Sequence, residues 1–88
     1  MSNKILIIED EPDIRKTIEY NLSREGFKIF TAASLKEGKE LLDKSFSLLV
    51  LDLMLPDGSG LDLCRELKSN QELMNIPIVI LTAKDDEV

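Results

Sequence analysis

The fold of this chain is decided by residues 48–60, which read LLVLDLMLPDGSG. The apolar run is long enough for a buried strand, and a single carboxylate, Asp52, lies inside it. Aspartate is almost never fully buried without a partner, because an unpaired carboxylate in apolar surroundings is costly. Residues 56–60 are typical of a turn, which places Asp52 near the end of the strand. The stretch therefore predicts that Asp52 marks the mouth of a strand, carries out chemistry, or both.

The rest of the chain alternates apolar runs with segments of helical periodicity. We predict strands at 4–8, 27–32, 48–53 and 78–81. Three helices are predicted between them, beginning at Pro12, at Leu35 behind a Ser34–Glu37 capping box, and after Ser59. Alternating strands and helices indicate a parallel sheet with right-handed crossovers and helices on both faces. The predicted class is α/β with a doubly wound parallel sheet, whose functional site lies beyond the carboxyl ends of the strands.

Apolar spacing also predicts which face each helix buries. The expected buried residues are Ile14, Ile18 and Leu22 on the first helix, Leu35, Leu41 and Leu42 on the second, and Leu61, Cys64 and Leu67 on the third. Gly26 is placed to end the first helix. Gly38 either weakens the second helix or lets it approach the sheet closely.

The composition excludes several functions. The chain carries a net charge of -6, so its surface does not by itself attract nucleic acid or anionic lipid. It has no histidine, which excludes a histidine-based triad or a histidine-ligated zinc ion within the chain. The one cysteine, Cys64, cannot form an internal disulfide. Because the sequence shows neither a signal peptide nor a long apolar span, we expect a cytoplasmic protein without a membrane segment.

Acidic and hydroxyl side chains collect at the predicted carboxyl ends of the strands. Glu9 and Asp10 follow the first strand, Asp52 lies near the end of the third, and Thr82 follows the fourth. If the first and third strands are neighbours, three carboxylates converge, and their repulsion calls for a cation. Oxygen ligands without histidine or cysteine select a hard divalent ion, and Mg²⁺ fits best. A metal beside a reactive carboxylate and a hydroxyl donor indicates phosphoryl transfer.

These residues and their order resemble the receiver domain of bacterial two-component response regulators. The resemblance rests on Glu9-Asp10, on Asp52-Leu53-Met54-Leu55-Pro56 with Gly60, and on Leu81-Thr82-Ala83 after Ile76-Pro77. It covers the whole chain and implies the flavodoxin-like strand order 2-1-3-4-5. It also implies a sensor histidine kinase as partner and contact with DNA only through a C-terminal effector domain. Because Met1 lies just before the first predicted strand, we expect the receiver to be N-terminal in its parent protein.

The resemblance implies a role for each of these side chains. Asp52 would accept a phosphoryl group from the kinase in a Mg²⁺-dependent reaction. Glu9, Asp10 and Asp52 would hold the ion, together with the backbone carbonyl of Met54. Thr82 would hydrogen-bond the phosphoryl oxygens and move inward once Asp52 is modified. The implied role is a switch that assists its own phosphorylation and dephosphorylation, not an enzyme acting on an outside substrate.

The sequence departs from the family pattern at its end. The family has a fifth strand, a lysine at the carboxyl end of that strand, and a last helix, and residues 1–88 stop before all of them. Lys84 directly follows the fourth strand and is not that lysine. We therefore expect residues 1–88 to form a single partial receiver domain with strand order 2-1-3-4. The strand at 78–81 would then be a bare sheet edge, so we expect residues 1–88 either to be a fragment of a longer protein or to self-associate and cover that edge.

Three other functions compete with this interpretation, and the residues disfavour the first two. A nucleotide- or flavin-binding domain of this architecture needs a loop that cradles phosphate after an early strand, whereas Glu9-Asp10-Glu11 would repel phosphate. A phosphohydrolase with an aspartyl-phosphate intermediate often has a second aspartate two residues after the nucleophile, where this chain has Met54. A pseudo-receiver would act as an interaction module without phosphorylation, and the missing lysine keeps this interpretation open.

Overall fold

The computed structural model describes residues 3–81, and the elements in this range follow the predicted alternation. Their bounds are β1 Lys4–Ile8, α1 Pro12–Arg24, β2 Lys28–Ala32, α2 Leu35–Leu41, β3 Phe46–Asp52, β4 Met54–Leu55, β5 Gly58–Ser59, α3 Gly60–Lys68 and β6 Ile78–Leu81. The four strands predicted from the sequence correspond to β1, β2, β3 and β6. The short strands β4 and β5 were not predicted.

The four longer strands form one parallel sheet in the order β2-β1-β3-β6. This confirms the predicted order 2-1-3-4, because β6 is the fourth strand of this sheet along the chain. In the centre, Ile8 of β1 lies between Ala32 of β2 and Leu51 of β3. On the other side of β3, Leu81 of the outer strand β6 lies opposite Asp52. The carboxyl ends of β1, β3 and β6 therefore meet at one end of the sheet.

Helices cover the sheet on both faces, as predicted, but the two faces bury very different amounts of apolar surface. Among residues 3–81, three are buried on the α1 face, Ile5, Ile7 and Val50, and α1 contributes the partly buried Ile18 and Leu22. In the same range, ten are buried on the α2–α3 face: Leu6, Ile8, Ala32, Leu35, Phe46, Leu49, Leu51, Leu63, Leu67 and Ile76. Each large apolar side chain contributes about 1.5–3 kcal/mol when fully buried. Most of the hydrophobic stabilisation therefore comes from the α2–α3 face.

The predicted helix termini are confirmed by their backbone geometry and hydrogen bonds. α1 begins at Pro12, where a missing N–H is no loss, and Gly26 adopts φ 97° just after its end. At the start of α2, the Ser34 hydroxyl accepts from the Glu37 N–H at 3.2 Å. The Glu37 carboxylate in turn accepts from the Ala33 N–H at 2.8 Å. This is the predicted capping box, with Glu37 reaching one residue further back than expected.

Gly38 brings α2 close to the sheet, which is one of the two outcomes predicted for it. A Cβ at this position would lie 2.3 Å from Ile8 Cδ1, so no larger residue fits without a shift of Ile8. The helix therefore lies directly over the last residue of β1.

The predicted buried face of α3 is wrong at Leu61. This side chain is 49% exposed, and Leu63 is buried in its place together with Leu67. The cause is the start of the helix at Gly60, whose Cα lies so close to the sheet that a Cβ would be 2.5 Å from the Asp52 carbonyl oxygen. With Gly60 against the sheet, residues three and seven positions further on face the core.

The predicted buried face of α2 is wrong at Leu41, which is 39% exposed. Leu35 is buried, as predicted, and Leu42 is partly buried against the same core. Leu41 is the last residue of the helix, and Leu42 is already extended at φ -71° and ψ 129°, so the chain turns back to the sheet one residue later.

None of the helices within residues 3–81 is long and apolar enough to cross a membrane.

Candidate functional site

Strand alternation and strand register together bring Glu9 beside Asp52. The odd-numbered apolar residues of β1 face α1, and Glu9 continues that series directly after the strand. In β3, Val50 also faces α1, and Asp52 follows it by two residues. Ile8 pairs with Leu51, so Glu9 and Asp52 are the next residues of two adjacent strands.

Three carboxylates form the cluster that the sequence predicts at this end of the sheet. Glu9, Asp10 and Asp52 each offer one oxygen, and these oxygens all lie within 4.8 Å of one another. Glu9 is 2% exposed and Asp52 is 1% exposed, whereas Asp10 is exposed to solvent. Like charges at this distance repel one another more strongly when they are removed from water. The cluster is therefore an unfavourable concentration of charge at the end of an apolar sheet.

Hydrogen bonds from α1 hold the loop that carries the first two acids. Arg15 Nη1 donates to the Glu9 carbonyl at 2.8 Å and to the Asp10 carbonyl at 3.4 Å. The Glu9 carboxylate accepts from the Glu11 N–H at 3.0 Å. The backbone of both acids is thus fixed by a guanidinium group, while the Asp10 side chain stays at the mouth of the site.

The segment after Asp52 folds into a hairpin. β4 and β5 pair antiparallel around the two-residue turn Pro56–Asp57. Asp52 Oδ1 accepts from the Met54 N–H at 3.3 Å, which holds the start of the hairpin against the carboxylate. At the base, the Gly60 N–H donates to the Leu53 carbonyl at 2.8 Å. The hairpin is thereby closed onto the end of β3.

The tip of this hairpin is tied to α2 by Asp57. Its two carboxylate oxygens accept from the N–H groups of Leu35 at 2.9 Å and Lys36 at 3.0 Å, the first two residues of the helix. These backbone hydrogen bonds lower the pKa of Asp57 below its ordinary value of 3.8, and the bond from Leu35 has the largest effect. Together with Ser34, which accepts from the Glu37 N–H, Asp57 satisfies the first three N–H groups of the helix.

The donor set of the cluster fits a hard divalent cation. All three side chains supply carboxylate oxygens, and two of them are buried, where negative charge is costly. Mg²⁺ is bound in proteins through one or two carboxylates and keeps several waters. The exposed position of Asp10 leaves the mouth of the site accessible to water. The residues present therefore fit Mg²⁺ better than a softer metal, as the sequence predicts.

Most of the predicted site residues are brought together. Glu9, Asp10 and Asp52 form the cluster, and the Met54 backbone donates to Asp52. Thr82 lies outside the described residues, so its role stays a prediction.

Two residues that support the site were missed by the sequence analysis. Arg15 and Asp57 act through backbone groups of other segments, so no local pattern identifies them. Asp57 lies between Pro56 and Gly58, and these three residues together have the composition of an ordinary turn.

Fold and site together define an open parallel α/β domain with an acidic cluster at the carboxyl ends of its two central strands. The sequence matches the response regulator receiver domain family over residues 5–88. The chain belongs to this family, and the predicted flavodoxin-like receiver fold is confirmed. It is thus a signalling domain of the two-component type.

Individual relatives agree with this assignment. The chain is 41% identical over 91 residues to the alkaline phosphatase synthesis transcriptional regulatory protein PhoP of Bacillus subtilis, which covers 99% of the chain and 36% of PhoP. The non-phosphorylated receiver domain of HemR from Leptospira biflexa has a TM-score of 0.85 and 30% identity, over 98% of this chain and 68% of that one. The response regulator TrrA of Thermotoga maritima, in complex with Mg²⁺ and BeF, has a TM-score of 0.80 and 31% identity, over 94% of this chain and 70% of that one. The chain thus spans little more than a third of the length of PhoP.

Proposed function

We propose that this chain is the phosphoacceptor receiver of a two-component system and that Asp52 takes the phosphoryl group. The proposal rests on the position of the Asp52 side chain. Asp52 ends β3, is 1% exposed, and has an oxygen within 4.8 Å of oxygens of Glu9 and Asp10. A buried carboxylate that is kept beside two others despite their repulsion is typical of a functional site. Membership of the receiver family supplies the type of reaction.

In the proposed reaction, an oxygen of the ionised Asp52 carboxylate attacks the phosphorus atom of a phosphorylated histidine on the kinase. A phosphorus–oxygen bond forms and the phosphorus–nitrogen bond breaks, and the electron pair of the broken bond goes to the imidazole nitrogen. The Met54 N–H, which donates to Asp52 Oδ1 at 3.3 Å, orients the carboxylate for this attack. Attack of water on the phosphorus atom later breaks the bond between phosphorus and the Asp52 oxygen. The electron pair returns to the carboxylate, and inorganic phosphate is released.

We propose Glu9, Asp10, Asp52 and the backbone carbonyl of Met54 as the residues that hold Mg²⁺. When bound, the ion supplies neutralisation of the charge on the transferred phosphoryl group. The all-oxygen donor set supports this proposal, as does the complex of TrrA with Mg²⁺ and BeF. Thr82 is proposed to hydrogen-bond the phosphoryl oxygens and to move once Asp52 is modified, on the strength of the family resemblance.

The proposed output is control of transcription through a C-terminal effector domain. PhoP, which is described as a transcriptional regulatory protein, is similar to this chain over 36% of its own length. We assign DNA binding to the effector domain because the net charge of -6 disfavours contact between the receiver and phosphate.

A second copy of the chain is the proposed partner of β6. Val79 is 48% exposed and Ile80 is 37% exposed, and no strand within residues 3–81 pairs with the outer edge of β6. Such an edge favours strand addition. Light scattering over a range of concentrations tests this, with Val79→Lys as the variant expected to stay monomeric. A wild-type chain that stays monomeric at the highest concentration would contradict the proposal.

Intact mass spectrometry tests the phosphoacceptor proposal. The chain is incubated with Mg²⁺ and a small phosphodonor such as acetyl phosphate. We expect one added phosphoryl group on the wild type and none on Asp52→Ala. Asp62→Asn, which removes an exposed carboxylate on α3, is the control and should be modified like the wild type. Persistence of the added mass in Asp52→Ala would overturn the assignment, and an unmodified wild type would favour the pseudo-receiver.

A further inference from the structure

The β4–β5 hairpin is held at both ends, and only one end is explained by the proposed reaction. Its first residue, Met54, donates to the Asp52 carboxylate at 3.3 Å. Its tip residue, Asp57, lies three positions further along and makes both of its side-chain contacts with α2. The Met54 carbonyl, a proposed ligand of Mg²⁺, thus belongs to a short segment between these two attachments.

The helix at the far attachment is well anchored. Leu35 at its start is 7% exposed in the core, and Gly38 allows contact with Ile8, the residue before Glu9. A Cβ on Gly58 would lie 2.9 Å from Leu35 Cδ1, so the hairpin backbone itself lies close to this helix. α2 therefore connects the end of β1, which carries two of the acids, to the hairpin that follows the third.

We propose that Asp57 is a positioning residue for the metal site: by tying the hairpin tip to the first turn of α2, its carboxylate holds the Met54 carbonyl where Mg²⁺ binds. The inference rests on the proposed function, because it assumes that Mg²⁺ binds at this cluster. Asp57 itself touches neither the ion nor the phosphoryl group. It acts through two backbone hydrogen bonds at 2.9 and 3.0 Å, each strengthened by the charge of the carboxylate.

A simpler role for Asp57 is to cap α2, and Ser34 provides the comparison that separates the two roles. Ser34 accepts from the Glu37 N–H in the same first turn of the helix. Within residues 3–81, its side chain makes no hydrogen bond to the hairpin. Loss of either cap destabilises α2. Only loss of Asp57 releases the hairpin.

The test compares Asp57→Ala, Asp57→Asn and Ser34→Ala with the wild-type chain. Isothermal titration with MgCl₂ gives the Mg²⁺ affinity, and amide hydrogen exchange in metal-free protein gives the protection of residues 54–59. For Asp57→Ala we expect about tenfold weaker Mg²⁺ binding, comparable to loss of an outer-sphere partner, and faster exchange in the hairpin. Asp57→Asn keeps one acceptor oxygen and should lie between Asp57→Ala and the wild type. Ser34→Ala should bind Mg²⁺ like the wild type.

The outcomes are distinguishable. Equal weakening in Ser34→Ala and Asp57→Ala would show that only the stability of α2 matters and would overturn the positioning role. Wild-type affinity in Asp57→Ala would overturn it as well. If the wild type binds no Mg²⁺, the proposed metal site is wrong. Unchanged amide hydrogen exchange of the hairpin in metal-free Asp57→Ala would show, without any reference to Mg²⁺, that Asp57 does not hold the hairpin.

Discussion

The two faces of the sheet differ in what they contribute. In the part of the chain that the structure describes, the α2–α3 face buries ten apolar residues, whereas the α1 face buries three and continues into the carboxylates of Glu9 and Asp52. Both faces are built from the same strands, since alternate residues of β1 and β3 belong to opposite faces. One face thus supplies stability, and the other accepts a local loss of stability to create a site. Substitutions on the two faces should therefore affect stability and metal binding separately.

The largest expected loss of stability comes from the α2–α3 face. Leu49 is 0% exposed there, and Leu49→Ala should lower the free energy of unfolding by about 2–5 kcal/mol, measured by urea denaturation. The milder Leu49→Met, which keeps the volume, should retain wild-type Mg²⁺ affinity. A clear loss of Mg²⁺ affinity in Leu49→Met would contradict the separation of the two faces.

A smaller loss is expected where α2 lies over β1. Gly38→Ala should lower the free energy of unfolding by about 1–3 kcal/mol, because the new Cβ would lie 2.3 Å from Ile8 Cδ1. The higher helix propensity of alanine offsets about 1 kcal/mol of this. Ile8→Val removes the clashing methyl, so the double variant should lose less than the sum of the two single losses. Additive losses in thermal or urea unfolding would argue against the close approach.

On the α1 face the sign of the effect should reverse. Asp52→Asn removes one of three close carboxylate charges but keeps an oxygen that accepts from the Met54 N–H. We expect the free energy of unfolding without metal to rise by about 1 kcal/mol. Asp62→Asn, an exposed carboxylate paired with Arg65 at 3.0 Å, should show no such gain. Destabilisation by Asp52→Asn would mean that repulsion does not dominate the cluster.

The smallest effect concerns pH. Hydrogen bonds from Leu35 and Lys36 lower the pKa of Asp57, so the folded chain favours the ionised form. A lowered folded-state pKa contributes stability above the ordinary value of 3.8, and this contribution is lost as the pH falls through the folded-state value. The stability difference between wild type and Asp57→Asn, from urea unfolding, should therefore shrink between neutral and acidic pH. A difference that is constant with pH would contradict this linkage.

The sequence predicts the fold well because the signals that define it are local. Apolar runs, Pro12, and the capping box at Ser34 depend on residues close in the chain, and each matches an element of the structure. The error at Leu61 arises because Leu61 and Leu63 are both apolar, and contact of Gly60 with the sheet selects Leu63. The error at Leu41 arises because α2 ends at this residue and the chain turns back to the sheet.

The site is predictable only in part, because several of its contacts join segments that are far apart in the chain. Alternation along each strand places Glu9 and Asp52 on one face, and their position at strand ends is visible in the sequence. Their proximity depends on the register of Ile8 with Leu51, a pairing between strands that are far apart in the chain. Support from Asp57 is a contact between segments 21 and 22 residues apart, and no periodicity encodes it.

Urea unfolding of the chain over a range of Mg²⁺ concentrations measures whether the three carboxylates hold the ion. If Glu9, Asp10 and Asp52 hold the ion, the free energy of unfolding of the wild type should rise by about 1.4 kcal/mol for each tenfold increase of Mg²⁺ above the dissociation constant. Asp52→Asn should begin more stable and respond little over the same range. Equal slopes for the two proteins, or no response of the wild type, would contradict the account.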